Sequence, residues 1–84
     1  MTSSAVDVVP CAVYVELTND ELRVVLDDGR KLSVPLVWFP RLLAATAEQR
    51  AAWRLIGRGE GVRWESLDED LSVRGLLQGE RARR

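Results

Sequence analysis

The chain has 84 residues, 46% of them hydrophobic and 30% charged, with a formal net charge of −1. That length supports one core and no second domain, and the balance is that of an ordinary folded domain rather than a disordered or fibrous chain. With no histidine and a single Cys11, the chain lacks the commonest general base, the commonest neutral metal ligand, any Ser-His or Cys-His nucleophile pair and any internal disulfide.

Residues 1–9 (MTSSAVDVV) are small and β-branched and end at Pro10, so they read as a flexible tail in preference to the alternative, an added edge strand. They carry neither a basic start nor an apolar run of signal-peptide length, and a cytoplasmic location is expected. The longest apolar stretch, Leu32 to Phe39, is interrupted by Ser33 and Pro35. It falls far short of the roughly 20 residues that cross a bilayer.

From Cys11 to Thr18, Val13, Val15 and Leu17 alternate with Ala12, Tyr14 and Glu16, the period-2 pattern of a strand with one buried face. After the polar break Thr18-Asn19-Asp20-Glu21, the residues Leu22, Val24 and Leu26 repeat it. Asp27-Asp28-Gly29 supplies a hairpin turn in which Gly29 accepts positive φ. Leu32 and Val34 mark a third strand, ended by Pro35.

Helical signals follow. Pro40 suits the first position of a short helix, Pro40 to Ala45. Thr46-Ala47-Glu48-Gln49 is a capping box, predicting a helix from Ala47 to about Ile56 that Gly57 ends in a left-handed conformation. Val62, Trp64 and Leu67 suggest a short extended stretch, and Ser72 to Gln78 reads as a last helix closing at Gly79. The basic residues 80–84 read as a frayed tail.

Gly57-Arg58-Gly59-Glu60-Gly61 has close glycines but lacks the spacing, lysine and preceding strand of a phosphate loop. Asp68-Glu69-Asp70 could bind a hard cation or act as an acid/base pair. In an extended segment, however, consecutive side chains point to opposite faces, and the run more simply complements the dipole of the last helix. No catalytic, cofactor-binding or metal-binding residues are assigned.

Charge is uneven, with acids in excess up to Val37 and bases in excess beyond it; all basic residues except Lys31 are arginine. On the predicted central helix, Arg50, Arg54 and Arg58 fall at i, i+4 and i+8 and form one outward ridge. Ala51, Ala52, Leu55 and Ile56 lie opposite, with Trp53 at the border. Such a ridge could meet an acidic protein surface or a phosphate backbone, with Trp38, Trp53 and Trp64 as aromatic anchors. Core filling is the commoner use of tryptophan.

An ordered series of residues carries a resemblance. It comprises Asp28-Gly29, Val34-Pro35-Leu36, Trp38-Phe39-Pro40-Arg41-Leu42, Ala45-Thr46 with Gln49-Arg50 and Trp53, Gly61 with Trp64, and Leu67-Asp68-Glu69-Asp70-Leu71-Ser72 with Leu76-Leu77. In these, the stretch Cys11 to Leu77 resembles the bacterial family known as domain of unknown function 2442. The resemblance implies an α+β fold with an N-terminal antiparallel sheet followed by helices, and no established enzymatic activity. Some relatives look like antitoxin components encoded beside a small toxin, and others carry a helix-turn-helix domain that has no counterpart in this sequence. Relatives usually have proline after the last tryptophan, where this chain has Glu65.

The expected architecture is therefore α+β: a three-stranded antiparallel meander, then two or three short helices with a short extended segment between them, in one domain over residues 10–79. The expected activity is non-enzymatic protein binding, with an antitoxin-like role toward a small toxin encoded nearby. Partner contact is expected at Arg41, Arg50, Trp53, Arg54, Arg58 and Trp64, or along the sheet edge. A basic toxin would favour the acidic hairpin instead. Nucleic-acid binding is the alternative, weakened by the net charge. No cofactor and no membrane contact are expected, and self-association is compatible with the composition.

Overall fold

A computed structural model of the chain describes residues 9–80. The predicted meander is present: β1 (Ala12–Leu17), β2 (Glu21–Leu26) and β3 (Lys31–Pro35) form an antiparallel sheet in the order β1-β2-β3. Gly29 turns the β2–β3 hairpin at φ 95°, which a side chain would resist. Leu22, Val24 and Leu26 are buried, as their alternation requires.

β1 departs from simple alternation. Its register steps from Ala12 opposite Leu26 to Tyr14 opposite Val25, so Val13 is an inserted bulge residue. The bulge resets the side-chain phase. Ala12 and Val15 are buried, whereas Val13, expected inward, is 50% exposed.

A 3₁₀ turn over Leu36–Trp38 leads into α1 (Pro40–Leu43), with Pro40 in its first turn. α2 (Ala47–Ala51) opens with the predicted capping box: Thr46 Oγ1 accepts from the Gln49 N–H at 3.1 Å, and Gln49 Oε1 accepts from the Thr46 N–H at 2.9 Å.

The predicted continuation of this helix to Ile56 is overturned. α2 ends at Ala51, and Trp53–Ile56 is a strand, β4. β4 pairs with β5 (Gly61–Trp64), which pairs with β6 (Glu69–Ser72), giving a second antiparallel sheet where a short extended segment was expected. Trp53-Arg54-Leu55-Ile56 satisfies a period of two as well as one of 3.6, because four residues are too few to separate them. The hairpin from Gly57 to Glu60 decides for strand, with Gly57 at φ 59° and Gly59 at φ 108°. Gly57 is left-handed as expected, but it turns a hairpin instead of ending a helix.

The acidic run also lies elsewhere than expected. Asp68 is left-handed at φ 51° and Glu69 begins β6. Ser72 caps α3 (Val73–Leu77), its Oγ accepting from the Gly75 N–H at 2.9 Å, and no acid stands in the first turn of that helix. Gly79 closes the chain reversal at φ 81°.

The core joins the inner faces of both sheets to Leu36, Phe39, Leu42, Val73 and Leu76. Val9, read as tail, packs against it. Apart from Val9 and Glu80, the tails read over residues 1–9 and 80–84 lie outside the described residues. The two sheets meet where the Ala12 N–H donates to Gly59 C=O at 2.7 Å. Gly59 is buried there, and a Cβ on it would run into the Ala12 carbonyl oxygen.

Candidate functional site

Because β4 is a strand, the expected ridge of Arg50, Arg54 and Arg58 does not form. Each of the arginines has its own surroundings. Arg50 on α2 donates through Nε to Leu42 C=O at 2.9 Å and through its terminal nitrogen to Leu43 C=O at 2.8 Å. It satisfies the Leu43 carbonyl at the end of α1 and adds a second donor at that of Leu42, which already accepts from the Ala45 N–H. Arg41 does similar work at the left-handed corner, donating to Asp68 C=O at 2.7 Å beside the buried Glu69. Arg54 meets Glu65 at 2.6 Å. Arg58 stands exposed at the β4–β5 hairpin with its guanidinium unpaired among the described residues.

The tryptophans divide. Trp64 is fully buried, and its indole N–H donates to Arg50 C=O at 3.0 Å. It is a core residue and no surface anchor. Trp38 is half-buried against the core. Trp53 is half-buried and stacks edge-on against Tyr14, ring centroids 5.6 Å apart at 86°.

The outer face of the second sheet is a charge lattice. Arg54, Arg63 and Asp70 lie in one cross-strand row. Arg63 binds Asp68 at 2.9 Å, Asp70 at 3.0 Å and Glu65 at 3.2 Å. Hydrogen bonds from Arg54 and then Arg63 hold the Glu65 carboxyl below its usual range, and Arg63 does the same for Asp68. The Arg63 guanidinium is held correspondingly more basic, chiefly by Asp68. These acids are consumed by arginine, and no metal-binding group of His, Cys, Asp and Glu occurs among the described residues.

The open feature lies along β1. The Thr18 N–H donates to Glu21 C=O at 2.9 Å. In an antiparallel ladder paired and unpaired residues alternate, so the main-chain groups of Glu16 and Tyr14 bond β2 while those of Val15 and Leu17 point away from it. Ala12, beyond the bulge, also points away, and its N–H is taken by Gly59. Among the described residues no strand pairs with β1 on that side.

A groove of about 610 Å³ runs beside this stretch of edge. Val15 and Leu17 line one side and Ala47 and Ala51 of α2 the other, with Tyr14 and Trp53 at one end and Thr18 and Asn19 at the other. Glu16 and Arg50 supply its charges. Of the other edge strands, β3 has Lys31 and Pro35 and β6 begins in charged residues, features that discourage pairing, while β4 has Arg54 alone. β1 has only Glu16.

Of the residues expected at the partner surface, the structure brings Arg50 and Trp53 to this groove and disperses the rest. The contribution of Tyr14, Val15 and Leu17 was not legible, since it depends on which neighbour β1 lacks. The alternating Val-Tyr-Val-Glu-Leu run without lysine or proline was the available signal.

A family model described as "Protein of unknown function (DUF2442)" matches residues 12–82. A crystal structure of a protein of unknown function from Rhodospirillum rubrum is similar, with 30% identity over 89% of this chain and 93% of that one, at a TM-score of 0.74. A solution structure of an uncharacterised protein from Chromobacterium violaceum has 28% identity over 87% of this chain and 69% of that one, at a TM-score of 0.73. No curated protein matches. The chain belongs to the DUF2442 family.

Proposed function

We propose that this protein is a non-enzymatic binding module of the cytoplasm that captures a protein partner by strand addition on the outer edge of β1. The observation that carries this reading is the edge at Val15 and Leu17, unpaired among the described residues, beside a groove. Main-chain donors and acceptors at a free edge offer affinity without demanding a particular sequence, and the adjoining groove supplies room for side chains. The antitoxin-like role implied by the resemblance fits this mode, in which a small toxin would lend an extended segment. The nucleic-acid alternative loses its main support with the arginine ridge.

Co-expression with the protein encoded beside it tests the proposal. The wild-type chain is expected to co-purify with that protein, and Leu17→Pro to elute alone, because proline removes an outward N–H while leaving the β2 ladder intact. Tyr14→Ser, at a side chain 54% exposed, serves as the second variant should Leu17→Pro unfold. Co-purification unchanged in both variants, or absent from the wild type, would overturn strand addition.

A further inference from the structure

The groove beside β1 has a charge preference, and this deepens the strand-addition reading, on which it rests. Glu16, exposed, lines the groove, and its carboxylate has no ion pair among the described residues. Arg23 stands opposite Glu16 in the ladder but is turned to Glu21, at 3.0 Å. Asp20 and Glu48, next in sequence to the lining residues Asn19 and Ala47, are exposed and likewise without a cationic partner among the described residues. The cation of the groove, Arg50, is half-buried with its guanidinium turned onto the Leu42 and Leu43 carbonyls. Arg50 is thus tied to main chain, and the exposed charged side chains around the groove, Glu16, Asp20 and Glu48, are all acidic. At the opposite end, the paired rings of Tyr14 and Trp53 offer apolar surface.

We infer that the occupant of this groove is an extended segment of a basic partner protein. Its main chain pairs with Val15 and Leu17, one apolar side chain rests on the Tyr14–Trp53 pair, and a lysine or arginine side chain faces Glu16. Complementary rim charge selects partners mainly by excluding like charge, so an acidic strand of the same shape is rejected.

Two synthetic nine-residue peptides, one alternating valine with lysine and the other valine with glutamate, provide the test by calorimetric or amide-shift titration of the full chain. The lysine peptide is expected to bind about tenfold more tightly at low salt, a difference near 1.4 kcal/mol. Its shifts should centre on Val15 to Leu17, and Glu16→Lys should erase the preference. Equal binding of both peptides that disappears in Leu17→Pro overturns the charge assignment while sparing strand addition. Preference for the glutamate peptide, or binding by neither, overturns it too. A dimer of the free chain that Leu17→Pro abolishes would assign the groove to a second copy and overturn the basic-partner inference.

Discussion

Trp64 and Arg50 illustrate how residue type alone misdirects a functional reading. Both have the composition of a binding hot spot, yet one fills the core and the other ties off α1. Their link is a single hydrogen bond, from the Trp64 indole to Arg50 C=O. Trp64→Phe leaves that carbonyl without its donor, at a cost of about 1–3 kcal/mol, and removes part of the buried bicycle, which adds a cavity cost. Thermal unfolding should fall by about 4–8 °C for each kcal/mol in a domain of this size. An unchanged Tm would mean that the carbonyl is satisfied in another way. Partner capture by the folded fraction is expected to persist, because Trp64 does not line the groove.

Among the elements, the outer face of β4–β6 makes a prediction about acid. Glu65 and Asp68 have carboxyl groups held below their ordinary values of 4.5 and 3.8 by arginine, so the folded state binds their protons less readily than the unfolded chain. The stability they contribute is fully present above those values and is lost as pH falls through the lower, folded-state range. Arg63→Gln should reduce the decline of Tm below about pH 4.5, leaving the parts due to Glu65, still held low by Arg54, and to Asp28, which Arg30 holds low independently. Parallel Tm–pH curves for the two proteins would contradict this account. The three carboxyl groups are exposed, and salt should shrink the effect.

The elements also divide into those legible in the sequence and those not. β2, the Gly29 turn, the capping box and the Ser72-to-Gly79 helix were legible because each rests on local chemistry: alternation, positive φ or a side chain reaching its own backbone. β4 was not, since Trp53 to Ile56 fits two periods and only pairing with β5 chooses between them. The bulge at Val13 was hidden for a related reason, being a property of the register between strands. The candidate site fared worst. Trp53 was named from its amphipathic ring, but an open strand edge is defined by a missing neighbour, which no residue type announces.

On the scale of the whole molecule, two three-stranded sheets share one core and join at the Ala12–Gly59 hydrogen bond and the Tyr14–Trp53 contact. Beyond that seam β1 continues without a strand partner among the described residues, and α2 lines the groove beside it. Alternate amides of one strand therefore face different surroundings. The most direct test is amide hydrogen exchange, residue by residue, in the free chain and in the complex with the protein encoded beside it. In the free chain Tyr14 and Glu16, bonded to β2, should exchange slowly and Leu17 fast; on binding, Val15 and Leu17 should become protected together. A Leu17 amide as protected in the free monomer as that of Glu16, or one that gains no protection in the complex, would contradict the claim that β1 is an open edge awaiting a strand.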